Sequence, residues 1–383
     1  MTESMKSFYG QEPNQFRELG DSQLQCFDLE IVPGRKCQLD CEACYKRNGE
    51  TTAGDTSLAD ALDYIGQAQS VGFKEVALLG GEPTLHPDIC EITRHIRELS
   101  LNPIIATNGI KLANEDFARR LLEKIQAVVV THAYFPGGEE VIDSYSGKNG
   151  YSYQLKQAIV NVTKIDATTV VLEMPLVDSL FPHALNFFRY CRESGVVPFI
   201  EISRRRDNGN PTTAISPEQI AELFEQFREY DRQNGFEPPI AIHPPAYGIA
   251  CTMPITGVHV KNHGGGDYGG VYSCCAQSIR HGDLKEQSLA EIMQSPTLTV
   301  YRDQDRYIVG PCKECDIYDE CKGGCRGEAV LQFGCPRASN PNCHHISKEI
   351  RNIPEMMAPG SCEGCPAEEC NDCSLTHLKT DAK

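Results

Sequence analysis

Between Phe27 and about Gly235 the chain alternates short apolar runs with amphipathic stretches. The runs rich in β-branched and other apolar residues predict strands at Phe27–Val32, Glu75–Leu79, Pro103–Ala106, Ala127–Thr131, Thr169–Met174 and Pro198–Ile202. Apolar residues recur at helical spacing over 57–71, 87–99, 113–124, 152–164 and 182–194, and a last helix is expected over 217–234. That last helix is signalled at both ends. Ser216 is placed as N-cap, Pro217 at the first helical position, Gln219 to complete a capping box, and Gly235 to end it. Ile220, Leu223, Phe224, Phe227 and Tyr230 form its apolar face.

Strand-then-helix units in series predict a parallel sheet with right-handed crossovers. Six units are too few for the usual closed eight-fold barrel, so the expected fold is α/β, a partial (β/α)6 TIM-like barrel. Functional loops then belong at the C-terminal ends of the strands. The expected organisation is an N-terminal arm at 1–26, the partial barrel at 27–236, a proline-rich linker at 237–250, a Cys-rich domain at 251–345 and a Cys-rich tail at 346–383. The Cys-rich domain holds many glycines and one clear helix, near 288–295.

Net charge is −17 over 383 residues, a field that repels nucleic-acid phosphates and anionic membranes, so neither is expected as a partner. Arg204-Arg205-Arg206 is the one basic run, read as a solvated loop or a local groove. No run of 18 apolar residues exists and the N-terminus lacks an apolar signal region, so a cytoplasmic location is the expectation. Nineteen cysteines change the picture most. They fall into tight C-x2-C and C-x3-C groups, a spacing that points to metal ligation rather than disulfides. Cys26, Cys90 and Cys191 stand alone and read as core thiols.

Cys37, Cys41 and Cys44 follow the first strand as C-x3-C-x2-C, with Tyr45 directly after. Three thiolates can ligate only three irons of a 4Fe-4S cube and leave the fourth open to a ligand. Gly80-Gly81-Glu82-Pro83 ends the second strand, Thr107-Asn108-Gly109 the third, and Thr131-His132-Ala133-Tyr134 the fourth. Together these motifs resemble the radical S-adenosylmethionine (radical SAM) superfamily. The resemblance implies a SAM-binding 4Fe-4S cluster on the three cysteines and SAM contacts from Tyr45, Gly80, Gly81, Glu82, Pro83, Thr107, Asn108 and Thr131, with Glu82 accepting from the SAM ammonium. Relatives often carry Ser then Asp where this chain has Thr131 and His132-Ala133-Tyr134. The implied chemistry is reductive cleavage of SAM to methionine and a 5′-deoxyadenosyl radical, which takes hydrogen from an unactivated C–H bond.

Cys312, Cys315, Cys321 and Cys325 read C-x2-C-x5-C-x3-C, with Gly269 and Cys274 upstream. This constellation resembles the SPASM extension of radical SAM enzymes. The resemblance implies two auxiliary 4Fe-4S clusters, one on Cys251, Cys274 and Cys325, the other on Cys312, Cys315, Cys321 and Cys343. The first then lacks a fourth cysteine, leaving an open iron, Cys275 or a substrate atom to complete it. Cys275 stands where sulfatase-maturing relatives carry a general-base carboxylate, and it reads as ligand, catalytic acid/base or buried thiol. A zinc-stapled domain is the alternative for this region. Cys362, Cys365, Cys370 and Cys373 form a C-x2-C-x4-C-x2-C tail motif for a further cluster or a zinc. Cys335 reads as structural, and His344-His345 as incidental.

The resemblance implies oxidative modification of a peptide or protein side chain, by cross-linking or dehydrogenation, with an external low-potential electron donor. The roughly 26 residues before the first strand are too few for a leader-binding domain, so a separate leader-binding partner or a leaderless substrate is expected. The alternative is dehydrogenation or decarboxylation of a small molecule such as a sugar or cofactor precursor. A non-enzymatic iron–sulfur carrier is the remote alternative, since a carrier has no use for an open iron beside an amine-binding loop.

Overall fold

The computed structural model describes residues 24–44, 54–201 except 124 and 167, 214–236, and 251–366 except 252, 263–267, 276, 278 and 361. Tyr45, the Arg204–Arg206 run, the 237–250 linker, Cys370 and Cys373 lie outside the described residues.

Six strands, β1 (Cys26–Val32), β2 (Glu75–Gly80), β3 (Asn102–Ala106), β4 (Val128–His132), β5 (Thr169–Pro175) and β6 (Val197–Glu201), lie side by side in chain order, all parallel. Helices α1 (Leu58–Val71), α2 (Ile89–Glu98), α3 (Glu115–Leu122), α4 (Glu139–Ser146), α5 (Tyr151–Thr163) and α6 (Ala184–Ser194) connect them, and α7 (Pro217–Asn234) follows β6. Among the described residues β6 is an edge that does not meet β1 again, so the barrel stays open. α7 starts with the expected capping box, Ser216 Oγ accepting from the Gln219 amide and Gln219 Oε1 from the Ser216 amide.

Two features depart from the sequence expectation. α4 is short and mostly polar, and it sits between Gly138 and Gly147 where a loop is expected. The sheet also continues past the proline-rich segment. β7 (Val258–Asn262) pairs in parallel with β1, and β8 (Tyr268–Tyr272) and β9 (Arg280–Asp283) add antiparallel. These strands are four or five residues long with polar or glycine positions throughout, so they carry no apolar run to announce them.

Side chains alternate across the pleat. Phe27, Leu29 and Ile31 of β1 face outward into the large core shared with the helices. Ala77, Ile104, Val128, Val130, Val171 and Val197 form a smaller inner cluster. In register with that inner face, the C-terminal ends of the strands turn polar at Glu30, His132, Glu173 and Glu201. A second, smaller core of Ile308, Cys312, Ala329, Phe333, Cys335, Ala338, Cys343, Ile346 and Met357 gathers the C-terminal part around α8 (Arg326–Phe333).

Candidate functional site

The Cys37–Cys44 loop leaves the C-terminal end of β1 and is held from several sides. The Asp40 and Glu42 amides donate to the carbonyls of Ser146 and Tyr145 at the end of α4, at 3.0 and 2.9 Å. Lys36 Nζ reaches Asp55 at 2.6 Å. Asn108 Nδ2 donates to Gln38 Oε1 at 2.8 Å and lies 3.5 Å from Cys37 Sγ. The three thiols form one electrostatic set. Burial pushes Cys41 far above the usual thiol value, and Cys44 and Cys37 push it further. Among the described residues no three thiol, imidazole or carboxylate groups converge tightly enough for a single metal ion.

Gly80 and Gly81 stand against the root of this loop. A Cβ on Gly81 would sit 2.6–2.8 Å from the carbonyl oxygens of Lys36, Pro33 and Gly34, and one on Gly80 would sit 2.3 Å from that of Val32. Gly80 also has φ +145°. The pair is small because the chain's own backbone passes there.

Glu82 is fully buried, and its carboxylate receives four donors. Oε1 accepts from the Thr84 amide at 3.0 Å, Thr84 Oγ1 at 2.5 Å and Thr107 Oγ1 at 2.7 Å; Oε2 accepts from the Asn108 amide at 2.6 Å. Burial raises its pKa although all four bonds oppose the rise. An ionised carboxylate offers about two lone-pair sites per oxygen, so Oε1 is fully engaged from within the protein while Oε2 accepts the Asn108 amide. Pro83 begins a buried turn just after it. Thr107 Oγ1 also accepts from the Gly109 amide, Asn108 Oδ1 from the Ile110 amide, and the Asn108 carbonyl from Tyr151 at 2.7 Å. Thr107-Asn108-Gly109 therefore ties β2, the cysteine loop and α5 together.

The end of β4 divides between the two faces. Thr131 Oγ1 lies 3.2 Å from where a Gly109 Cβ would stand, beside Leu155 and Ala158 of α5, and has no hydrogen-bond partner. His132 is on the inner face, edge-on to Tyr145 and Tyr151, with Nδ1 unpartnered; burial lowers it to about 4, so it is neutral. Its cross-strand neighbour is Glu173. Burial, then the neighbouring Glu201 carboxyl, holds Glu173 well above the ordinary carboxylate range. On β7, buried His259 places Nδ1 3.1 Å from Asp28 and Nε2 2.7 Å from Glu30. Nothing in the residue spacing announces either constellation; both arise from strand register.

In the C-terminal part Cys251 lies within electrostatic reach of Cys274 and Cys325. Burial raises the Cys251 thiol well above its ordinary value, Cys325 and Cys274 add to the rise, and Arg326 opposes it. Cys343 is raised by burial and then by Cys312 and Cys315. Cys321 lies in the turn that leads to Cys325. Cys275 is half-buried next to Cys274. Cys335 and Cys362 pack into the same core as Cys312 and Cys343, while Cys365 packs beside Val300 and Tyr307.

Comparison with known proteins places these features. A family model for the radical SAM superfamily matches residues 31–177, and one for the SPASM iron–sulfur cluster-binding domain matches residues 252–316. An AdoMet-dependent heme synthase of Methanosarcina barkeri is 24% identical over 344 residues, covering 82% of this chain and 94% of that protein. One from Nitratidesulfovibrio vulgaris is 22% identical over 87% of this chain and 96% of its own length. Among solved structures, Streptococcus suis SuiB bound to S-adenosylmethionine superposes with a TM-score of 0.65 at 16% identity, over 85% of this chain and 78% of that one. The anSMEcpe structure with bound AdoMet and Cp18Cys peptide gives 0.61 at 16% identity, over 80% and 90%. Both share the fold. Among the described residues no helix is long and apolar enough to cross a membrane.

Proposed function

The chain belongs to the radical SAM superfamily and carries a C-terminal SPASM domain, and from that premise we propose that it oxidatively modifies a peptide or protein side chain, by cross-linking or dehydrogenation. The two domains imply 4Fe-4S clusters and SAM binding; bound together at the first site, cluster and SAM supply a 5′-deoxyadenosyl radical that takes hydrogen from the substrate. In this reading Cys37, Cys41 and Cys44 hold the first cluster. Neighbouring thiolates here repel one another, and an iron cluster that strips the thiols of their protons would offset that repulsion with its own positive charge.

The SAM contacts are assigned to the backbone of Gly80-Gly81-Glu82-Pro83, to Asn108, to Tyr45 and to the strand end at Thr131-His132. Glu82 and Thr107 act by position. They clamp the ends of β2 and β3 so that the backbone facing SAM is fixed. The buried aromatic surround of His132, with Tyr145 and Tyr151, keeps water from the reacting carbon.

The observation that carries the proposal is the pairing of a three-thiol loop on β1 with two further thiol sets gathered by the C-terminal part. A substrate radical that is to end as a closed-shell cross-link or double bond must give up one more electron. Auxiliary clusters on Cys251, Cys274 and Cys325 and on Cys312, Cys315, Cys321 and Cys343 offer the acceptors. Cys275 is assigned as a further ligand or as the acid/base group, and Cys362 with Cys365, Cys370 and Cys373 as a further metal site. An external low-potential donor supplies the first electron, and a separate partner presents any leader segment. A small-molecule substrate is the second reading, favoured by the near full-length likeness to AdoMet-dependent heme synthases.

The test is anaerobic. The reconstituted protein, SAM and a strong reductant should yield 5′-deoxyadenosine, and the variant with Cys37, Cys41 and Cys44 all changed to Ala should not. Product that rises with added peptides but not with porphyrins or sugars supports the first reading; the reverse supports the second. A protein that holds its clusters yet cleaves no SAM defeats both.

A further inference from the structure

Three successive residues between Cys321 and Cys325 adopt the left-handed conformation: Lys322 at φ 50°, Gly323 at 75° and Gly324 at 69°. Such a turn is held by its surroundings rather than by its own preference, least of all at Lys322. What holds it is Arg326, the first residue of α8, only 1% exposed. Its guanidinium donates to four backbone carbonyls. Nε reaches Gly324 at 3.3 Å, Nη1 reaches Ala338 at 2.7 Å and Pro336 at 3.1 Å, and Nη2 reaches Gly323. One rigid fork thus joins the turn before Cys325 to the Cys335–Ala338 turn.

The partners are all neutral. Among the described residues no carboxylate pairs with Arg326. A buried guanidinium needs a negative partner, since carbonyl dipoles return only part of its lost hydration. The guanidinium is bonded to the carbonyls of Gly323 and Gly324, directly before Cys325, so its charge is held beside a residue read above as a cluster ligand together with Cys251 and Cys274. Three thiolates on an iron–sulfur cluster would be the missing anion.

We propose that Arg326 is a positioning and potential-setting residue for the auxiliary cluster held by Cys251, Cys274 and Cys325. This rests on the ligand reading given above. The fork fixes the turn that presents Cys325, and the charge favours the reduced cluster, which carries one more negative charge than the oxidised one. The electron in that step comes from the reductant or the substrate radical, and no proton need move.

The test is a potentiometric titration of the reconstituted full chain, followed by electron paramagnetic resonance, for the parent, Arg326→Lys and Arg326→Gln. The signal that changes on SAM addition is the internal reference. The signal lost in Cys251→Ala identifies the cluster in question. Arg326→Gln should move that signal's midpoint to more negative potential and leave the reference in place, and Arg326→Lys, which keeps the charge, should move it less. Loss of one cluster's iron from the Gln variant but not from the Lys variant also supports the assignment. Full iron in both with every midpoint unchanged overturns it, as does equal loss of iron from both, which would reduce Arg326 to a shape-holding role. A parent protein that holds only the SAM-responsive cluster overturns the ligand reading itself, and the Arg326 assignment with it.

Discussion

Glu82 Oε2 accepts the Asn108 backbone amide at 2.6 Å, so the carboxylate ending β2 carries the backbone ending β3. Three more donors, from Thr84 and Thr107, converge on Oε1. Glu82→Ala orphans the buried Thr84 and Asn108 amides and should cost about 2–6 kcal/mol, at about 1–3 kcal/mol for each orphaned amide. Glu82→Gln should cost less, because its amide oxygen can keep Asn108 and its burial carries no charge. Urea unfolding of the two variants checks the order. An Ala variant as stable as the parent would deny Glu82 its clamping role.

Gly81→Ala places a methyl group 2.6–2.8 Å from three backbone carbonyls at the root of the cysteine loop. Backbone cannot swing aside as a side chain can. About 1–3 kcal/mol of stability should go, in the range of overpacked cores. The loop should also hold less iron, because the displaced segment ends at Cys37. Iron per chain, measured against a C37A/C41A/C44A control, reads the second effect. A variant with the parent's iron and melting temperature would mean that the close approach is not a constraint.

His281 titrates against acid stability. Burial, and secondarily Arg302, lower it to about 3. Its Nδ1 is 2.8 Å from Thr297 Oγ1, and its Nε2 has no partner. A depressed folded value means that the unfolded chain binds the proton first. The contribution is complete above the unfolded value and is lost as pH falls from about 6.5 towards 3. At pH 5.5 the loss should be about 1 kcal/mol. His281→Phe keeps the edge-on ring contact with Tyr301 and leaves Thr297 its bond to Ser295. Parent and variant unfolding curves should converge or cross between pH 7 and 5; a constant difference would remove His281 from the acid response.

The barrel was legible because each of its six strands is a short run rich in apolar residues and most of its helices show their own period. Expected and observed strands agree within a residue or two, as in Phe27–Val32 against Cys26–Val32. The C-x3-C-x2-C and C-x2-C groups stand out in the sequence, whereas the sets that join Cys251 to Cys274 and Cys325 and add Cys343 to Cys312, Cys315 and Cys321 come from the family resemblance. α4 was not, since Glu139–Ser146 is short and mostly polar and takes its place from the loop amides bonded to its last carbonyls. β7 to β9 were not, because Val258–Asn262 places His259 and Lys261 on the inner face. Nor does spacing show that the chain's own backbone passes against Gly80-Gly81. It gave no sign of Arg326, whose partners are carbonyls and therefore independent of residue type.

His259 joins the two parts of the sheet, standing on β7 between Asp28 and Glu30 of β1. Burial alone would lower its pKa, but the two carboxylates outweigh that and raise it. The contribution of a raised group is complete below the unfolded value, about 6.5, and is lost as pH rises through the folded one, opposite in sign to His281. His259→Leu takes from Glu30, 3% exposed, the imidazole that faces its charge, and should cost about 3–5 kcal/mol as a broken buried pair. Glu30→Gln in the same chain should recover part of that, because the more deeply buried of the two carboxylates then carries no charge. The double-mutant cycle should show about 1–3 kcal/mol of coupling at neutral pH. Simple additivity of the two substitutions would mean that His259 fills space at the β1–β7 seam and exchanges no charge across it.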